Sequence, residues 1–265
     1  MDNTAKILIR DLNLYIGKQH ILKNINTDIE EKKVTVILGP SGCGKTTLLK
    51  SMNRLTDLYP EVKVQGTIVI DDEDILHTST DITMIRKKMG LLSQRPYPLP
   101  MNIFNNVAYG LRISGRKNKK YLNKRVEHYL QQANLWEEVK DRLRDPASAL
   151  SIGQQQRLCL ARGLAVDPEI ILADEPVASL DPQLSLQVMS DLARVAREDK
   201  VLTLINIHQV NLVHQFADRV IGLAQGRIVF DGPARDLDEA VMSRVYRFDK
   251  AEEKLIESAG QRTVI

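Results

Sequence analysis

The sequence predicts an α/β protein whose largely parallel β-sheet carries helices on both faces. Short β-branched and apolar runs, which are typical of buried strands, occur at 34–38, 170–173 and 201–205. A segment with helical periodicity at 183–197 separates the last two runs, which predicts a strand–helix–strand unit. This alternation favours a parallel sheet, because parallel neighbours need a crossover connection.

The N-terminal part of the chain predicts short strands, and a helical region interrupts the later sheet. Apolar residues cluster at 7–9 and 12–15 and alternate with polar residues from 21 to 29. From Gln94 to about Val166 no strand-like run occurs and apolar residues recur at helical spacing, so we expect a helical insertion. The remaining predictions are helices at 46–55, 210–217 and around 237–246, and strands at 219–223 and 227–230.

Composition and charge exclude several classes of protein. The net charge of +3 over 265 residues is too small to indicate a nucleic-acid partner. The basic run at 116–120 is either a contact for a phosphate-rich partner or a plain exposed helix start. Cys43 and Cys159 do not suggest a disulfide framework, and the first residues lack the features of a secretory signal. No apolar run approaches the roughly 20 residues that span a bilayer, so if the protein works at a membrane we expect it to dock on other subunits.

A glycine-rich turn after the predicted strand 34–38 has the pattern of a phosphate-binding loop. Residues 39–46 match G-x-x-x-x-G-K-[ST] and lead into a helix. Its glycines let successive backbone N–H groups turn inward, and the helix N-terminus favours an anion. Lys45 is expected to reach the β- and γ-phosphates, and the Thr46 hydroxyl to complete a Mg²⁺ shell. The loop therefore predicts binding of a nucleoside triphosphate.

Two acidic residues, Asp174 and Glu175, follow directly after the predicted strand 170–173. Ligands of open α/β sheets bind at the carboxyl ends of the strands. Asp174 is suited to hold Mg²⁺, directly or through water, and Glu175 is suited to polarise an attacking water. Two acids can also cap a strand-to-loop turn, but the phosphate loop upstream favours the catalytic interpretation.

A second anion-binding pattern lies at 150–157, before a helical stretch that extends to Val166. Ser151 offers a hydroxyl and Gly153 a backbone N–H at the start of a helix. Because the chain already has a phosphate loop, this second pattern most simply serves the γ-phosphate that another subunit holds.

With these motifs in this order, the sequence resembles the ATP-binding-cassette family over nearly its whole length. Three weaker signs agree, namely Gln94, the segment 179–181 and His208 after a strand. The resemblance implies an α/β P-loop NTPase core with a mostly parallel sheet, an N-terminal antiparallel β subdomain and an inserted helical subdomain. The implied boundaries are a single ATPase domain at 1–240, its helical subdomain at about 95–166, and a short tail at 241–265.

The resemblance also implies roles for individual residues. Glu175, His208 and Gln94 are the expected catalytic residues, with His208 on the γ-phosphate. Mg²⁺ would be held by Thr46, Gln94 and Asp174. The expected ATP contacts in this chain are Gly39, Pro40, Ser41, Gly42, Cys43, Gly44, Lys45, Thr46 and Thr47, with Tyr15 or Ile16 on adenine. The expected contacts across a head-to-tail dimer are Ser151, Gly153, Gln154 and Asp181.

Two positions depart from the family pattern. The family's signature segment commonly reads Leu-Ser-Gly-Gly-Gln, whereas Ile152 replaces the first glycine here. A β-branched residue resists positive φ, so we expect slowed or retuned hydrolysis rather than an inactive site. The adenine-stacking aromatic usually precedes a glycine near the N-terminus. That position holds Ile16, with Tyr15 one place earlier, and the sequence leaves both residues open as the adenine contact.

Within the family, the similarity points to importers of oxyanions. The segments 53–60, 94–101, 106–112, 133–143 and 153–165 are similar to phosphate-import ATPases, whereas 208–210 and 230–233 are more similar to phosphonate importers. The resemblance implies an ATPase that drives uptake of inorganic phosphate, with phosphonate or another oxyanion as the alternative cargo. A nucleotide-dependent regulatory switch with slow hydrolysis is an alternative of another class.

The implied assembly contains two ATPase subunits, either two copies of this chain or one copy and a paralogue. Its partners would be transmembrane permease subunits, whose coupling helix docks on the loop at 95–100, and an extracytoplasmic solute-binding protein. No nucleic acid is expected. The implied location is the cytoplasmic face of the inner cell membrane, as a peripheral protein.

Overall fold

The computed structural model of this chain describes residues 5–77, 80–178 and 180–246. The chain divides into two compact units. The first comprises the residues up to Glu30, residues 35–80 and the residues from His208 onward, and the second comprises 31–34 and 81–207. Across the described parts of the chain, no helix combines the length and the apolar character that a bilayer crossing requires.

The elements are numbered in chain order. The strands are β1 (Ala5–Ile16), β2 (Gln19–Glu30), β3 (Val34–Leu38), β4 (Val62–Ile70), β5 (Glu73–Asp74), β6 (Met89–Leu92), β7 (Ile170–Asp174), β8 (Leu202–Asn206), β9 (Arg219–Ala224) and β10 (Arg227–Pro233). The helices are α1 (Lys45–Met52), α2 (Ile82–Lys87), α3 (Ile103–Ile113), α4 (Lys119–Gln132), α5 (Trp136–Val139), α6 (Ile152–Leu164), α7 (Pro182–Glu198) and α8 (Val210–Phe216). Residues 239–246 are also helical.

The first unit contains an antiparallel sheet and the strand that leads into the phosphate loop. β1 pairs antiparallel with β2 and β4, and β4 pairs antiparallel with β5. β3 pairs in parallel with β9, which aligns Leu38 with Gly222, and β9 pairs antiparallel with β10. All five residues of β3 are buried, as expected for a strand covered on both faces.

The second unit contains three parallel strands and most of the helices. β7 lies between β6 and β8, and the register aligns Leu92 with Ala173 and Asp174 with Asn206. All of β8 is buried, whereas in β7 the final residue, Asp174, is half-buried. The carboxyl ends of the three strands therefore meet at one edge of the sheet, where a parallel sheet places its ligands.

The helices between β6 and β7 begin at residues whose side chains satisfy the backbone. Asn102 accepts a hydrogen bond from the Asn105 N–H at 2.7 Å, and Asn118 accepts one from the Tyr121 N–H at 3.0 Å, so α3 and α4 both start at asparagine caps. The region between β6 and β7, which the structure describes throughout, contains no β-strand, and its one β-type pairing is an isolated bridge between Asn102 and Pro146.

The predicted α/β architecture is confirmed, and the differences are local. The helix predicted at 46–55 ends at Met52, because Arg54 adopts a left-handed φ of 55° that breaks the helix. Neither β4 nor β6 is predicted from the sequence. β4 contains exposed polar residues and Gly66 at a φ of 98°, which weaken the alternation, and β6 has only four residues.

Candidate functional site

The phosphate loop connects β3 to α1 in the first unit. Gly42 and Gly44 have φ values of 79° and 111°, in the left-handed region that favours glycine. Gly44 is the N-cap of α1, so no side chain caps the helix, and its first turn contains no acidic residue. This helix start is therefore electrostatically suited to an anion.

Lys45 is the first residue of α1, and its side chain folds back over the loop. Its Nζ atom donates hydrogen bonds to the carbonyl oxygens of Gly39 and Pro40, both at 2.8 Å. The residue is only 5% exposed, so the ammonium group is held in the loop at low solvent exposure. A cation in this position complements a phosphate chain bound to the same loop.

The phosphate loop packs closely against the turn between β9 and β10 and against Leu22 of β2. The Gly226 N–H, in the turn between β9 and β10, donates to the Cys43 carbonyl at 3.0 Å. A Cβ atom at Gly44 would lie 2.9 Å from a Leu22 methyl group, whereas one at Gly42 would meet nothing within 4 Å. Around these positions Ser41 is exposed, Pro40, Thr46 and Thr47 are half-buried, and Gly39 and Cys43 are buried.

The two candidates for the adenine contact lie at the end of β1. The Tyr15 ring stacks on the His20 ring, with centroids 4.1 Å apart and planes at 15°. His20 in turn shares a hydrogen bond of 3.0 Å with the Asn13 side chain. Ile16 is 37% exposed, and consecutive strand residues point to opposite faces. Tyr15 is therefore already engaged within β1 and β2, and Ile16 presents apolar surface to solvent.

In the second unit, the strand ends bring together two of the predicted catalytic residues. The Gln94 side chain, two residues after β6, donates from Nε2 to Glu175 Oε2 at 2.9 Å. Glu175, directly after β7, has a φ of 49°, and its N–H donates to the Asn206 carbonyl at 3.0 Å. The left-handed turn at Glu175 ends the strand and places its carboxylate beside Gln94.

Asn206 belongs to this cluster, although sequence reasoning did not select it. Its Nδ2 atom donates to Asp174 Oδ1 at 2.8 Å, across the β7–β8 pairing. Asn206 is completely buried. The sequence contains one signal that indicates this role, namely a polar amide directly after the mainly apolar run 201–205.

The signature residues form the start of α6. Ser151 is the N-cap. Its hydroxyl accepts from the Gln154 N–H at 3.3 Å, while Gln154 Oε1 accepts from the Ser151 N–H at 3.0 Å. This reciprocal arrangement is a capping box. Ser151 therefore has a structural function as a helix cap and remains exposed at the surface.

Ile152 and Gly153 occupy the first turn of α6. Ile152 is 55% exposed and does not have a positive φ, so the expected conflict between a β-branched side chain and left-handed backbone does not arise at this position. Gly153 is buried, and a Cβ atom there would lie 2.9 Å from a Leu184 methyl group on α7. A methyl group added at 153 would therefore displace the end of the flexible Leu184 side chain in the packing between α6 and α7.

A second network that sequence reasoning missed supports the signature segment. Glu138 accepts from Gln154 Nε2 at 2.7 Å and from the Arg157 guanidinium at 2.6 Å. Burial alone would raise the pKa of the Glu138 carboxyl, but the hydrogen bonds from Arg157 and Gln154 outweigh it and hold that pKa below its ordinary value. Arg157 also donates to the Asn134 carbonyl at 2.6 Å, and Asn134 donates to Asp191 on α7 at 2.5 Å.

The remaining predicted residues lie at element boundaries. Asp181 is the N-cap of α7, and its Oδ1 accepts from the N–H groups of Gln183 and Leu184 at 2.9 and 3.0 Å. His208 is half-buried, two residues after β8, and belongs to the first unit. Ser179 lies outside the described residues. Within the described ranges, no group of three or more histidine, cysteine, aspartate or glutamate side chains could hold a metal ion.

Comparison with known proteins relates this chain to one family. The sequence profile of the family described as ABC transporter matches residues 22–178, more than half of the chain. The phosphate import ATP-binding protein PstB of Bacteroides fragilis is 42% identical over 237 residues, which cover 89% of this chain and 93% of that protein.

Solved structures with the same fold relate the chain to the same family. The structure of cbiO1 from Clostridium perfringens, described as part of the ABC transporter complex cbiONQ, has a TM-score of 0.76 at 26% identity and covers 98% of this chain and 96% of its own. The ATP-binding cassette MJ0796, in a dimeric post-hydrolysis state bound to ADP and Pi, has a TM-score of 0.73 at 28% identity and covers 87% of this chain and 100% of its own. The chain therefore belongs to the ABC transporter family, as one of its ATP-binding cassettes.

Proposed function

We propose that this chain is the ATP-hydrolysing subunit of an ABC importer that takes up inorganic phosphate. The cargo is supported by the 42% identity to a phosphate import ATP-binding protein over 89% of the chain. The hydrolytic activity is supported by the hydrogen bond between Gln94 and Glu175 at the carboxyl ends of adjacent parallel strands. This arrangement presents a carboxylate and an amide together, which suits the orientation of an attacking water.

The phosphate loop is proposed to bind the triphosphate of ATP. The backbone of residues 39–44 surrounds the phosphates, and Thr46 and Thr47 add hydroxyl groups. The Lys45 ammonium exchanges its bonds with the Gly39 and Pro40 carbonyls for bonds to phosphate oxygens. Adenine rests on the Ile16 side chain or on the Tyr15 ring.

The residues proposed to hold Mg²⁺ suit that ion, because they offer only oxygen ligands. Thr46 supplies a hydroxyl, Asp174 a carboxylate and Gln94 an amide oxygen, and magnesium prefers such hard ligands together with phosphate oxygens and water. When bound, the ion neutralises charge on the β- and γ-phosphates. The chain's part is to orient these three ligands.

Glu175 is proposed to accept a proton from the attacking water. Gln94 holds the Glu175 carboxylate through its Nε2 donor, which limits the directions in which that base can point. His208 is proposed to donate a hydrogen bond to the γ-phosphate. These roles divide the chemistry among a base, an orienting amide and a phosphate contact.

The signature segment is proposed to complete the ATP site of a second subunit. Ser151 and Ile152 are exposed at the N-terminus of α6, which is suited to an anion, and Gly153 and Gln154 belong to the same turn. Asp181 caps α7 and would bridge the two subunits. ATP would then close a dimer and hydrolysis would reopen it, because only ATP contributes the γ-phosphate that both subunits contact.

The proposed partners are transmembrane permease subunits, which would contact residues 95–100, and an extracytoplasmic solute-binding protein. We place the chain at the cytoplasmic face of the inner cell membrane. Residues 95–166 are proposed to act as the helical subdomain of one ATPase domain at 1–240. The alternative cargo, phosphonate, has its support in the segments 208–210 and 230–233.

Uptake of radiolabelled phosphate tests the proposal. The chain and its permease and receptor subunits are expressed in cells that lack their own phosphate importers, alongside a Glu175→Gln control. We expect uptake only with the unchanged chain, and little inhibition by a phosphonate. Phosphonate uptake in the same cells would instead support the alternative cargo. Absence of both activities would overturn the assignment to phosphate or phosphonate import.

A further inference from the structure

Asn206 is a buried polar residue at the end of β8, beside the proposed catalytic groups. Its Nδ2 atom donates to Asp174 Oδ1 at 2.8 Å, and its carbonyl oxygen accepts from the Glu175 N–H at 3.0 Å. One residue therefore contacts both acids, the first through its side chain and the second through its backbone.

The stability of the folded state does not explain why residue 206 is an asparagine. The residue is completely buried, and among the described residues its Oδ1 atom has no hydrogen-bond partner. A buried carbonyl without a partner destabilises the folded state, because it has lost its bonds to water. An apolar residue, like most of β8, would avoid this cost.

The backbone contact does not explain the choice of asparagine either. Any residue at 206 can offer its carbonyl to the Glu175 N–H, because that bond does not involve the side chain. The bond to the Asp174 carboxylate, in contrast, comes from the Asn206 side-chain amide. An aspartate here would set two carboxylates against each other, whereas the amide is neutral and donates.

A hydrogen bond to one carboxylate oxygen restricts rotation of the whole group. The bond from Asn206 Nδ2 therefore limits the directions in which the Asp174 oxygens can point. Outer residues that orient metal-binding side chains in this way commonly control metal affinity.

We propose that Asn206 is a positioning residue that orients the Asp174 carboxylate toward the divalent cation bound with the nucleotide. The inference rests on the proposed function, since it requires ATP to bind with a cation at this edge of the sheet. In this role Asn206 acts through Asp174 and would not itself bind the cation.

The experiment compares Asn206→Leu with the unchanged chain. Binding of a fluorescent ATP analogue is measured in EDTA and across a titration of Mg²⁺, and unfolding is measured in urea without nucleotide. We expect the Mg²⁺ concentration for half-maximal effect to rise about tenfold, with affinity in EDTA unchanged and stability equal or higher. A residue that only supports the fold would instead lower stability and affect both binding measurements.

Thr203→Val is the matched control, because Thr203 is a completely buried polar residue of the same strand whose hydroxyl donates locally to the Val201 carbonyl. It should leave the Mg²⁺ dependence unchanged. If the leucine variant does not fold, Asn206→Val replaces it, since valine is smaller and favours strands. An unchanged Mg²⁺ requirement in the folded variant would overturn the inference. Absence of Mg²⁺-dependent ATP binding in the unchanged chain would instead overturn the proposed function.

Discussion

The Gln94 side chain donates a hydrogen bond of 2.9 Å to the Glu175 carboxylate, although 81 positions separate the two residues. They meet because β6 and β7 are adjacent parallel strands, so the residues that follow them emerge at the same edge. The helices α3 to α6 lie between them in the chain.

The first prediction concerns Glu175→Gln. We expect steady-state ATP hydrolysis to fall by about 100-fold or more, because the variant loses the proton acceptor but keeps a side chain of the same shape. ATP binding should persist, and an ATP-bound dimer should accumulate in size-exclusion chromatography. Glu169→Gln, outside the strand-end cluster, is the control. If the unchanged chain hydrolyses ATP slowly and Glu175→Gln changes that rate little, the result would favour the regulatory switch.

Lys45→Ala tests the phosphate loop. The variant loses the ammonium group that lies over the loop, so we expect ATP affinity to fall by about 100-fold, on the order of 3 kcal/mol for a charge-assisted contact. Lys50→Ala, later in α1, should bind ATP normally. Circular dichroism should show both variants folded, and calorimetry measures the binding. Undiminished ATP affinity in Lys45→Ala would contradict the assignment of this loop.

Ser151→Arg tests the cross-subunit role of the signature segment. The long cationic side chain would occupy the exposed helix start, so we expect ATP binding to remain and ATP-dependent dimerisation to be lost in light scattering. Ser151→Ala separates the two roles of this serine. It removes the cap, which costs about 1 kcal/mol of stability, but adds no bulk. Normal dimerisation of the arginine variant would refute the role.

Gly153→Ala tests the packing between α6 and α7. The added methyl group would lie 2.9 Å from a Leu184 methyl group at the end of a flexible side chain, so we expect a loss of no more than about 1 kcal/mol in the free energy of unfolding. Combining it with Leu184→Ala removes the clash, and the two losses should be less than additive. Urea denaturation measures both. Strict additivity would mean that Gly153 does not act through Leu184.

Asp191→Asn tests a buried carboxyl group in the network behind the signature. Burial raises the pKa of Asp191 to about 6, against the opposing influence of Arg194, Asn134 and Arg157. Since the pKa is higher in the folded protein than in the unfolded chain, the folded state binds more protons between about pH 4 and pH 6. Stability contributed by this group is therefore lost as the pH rises through that window.

The asparagine variant can still accept from Asn134 but carries no charge. We expect it to be more stable than the unchanged chain by about 2 kcal/mol at pH 7.5, after allowance for partial solvent screening, and the difference to close near pH 4. Urea denaturation at several pH values measures this. The exposed Asp141→Asn is the control. A difference that does not depend on pH would show that the pKa of Asp191 is the same in the folded and unfolded states.

Much of the molecule follows from local signals. The buried strands β3, β7 and β8 are short, mainly apolar runs. The phosphate loop is a pattern of adjacent residues in which glycine permits a left-handed backbone. Such features need no knowledge of distant neighbours. The order of the motifs along the chain was sufficient to identify the family.

Other features depend on neighbours that are distant in sequence. In the sequence Asn206 is an ordinary polar residue at the end of a strand. The β7–β8 register places it opposite Asp174. Glu138 reads as a surface acid until folding brings it to Gln154 and Arg157. The sequence predicts a conflict between Ile152 and a left-handed backbone, but Ile152 is the first residue of α6 and does not have a positive φ. A hydrogen bond between side chains depends on strand register and helix packing, which arise from the whole chain, whereas a glycine turn or a buried strand depends mainly on its own residues.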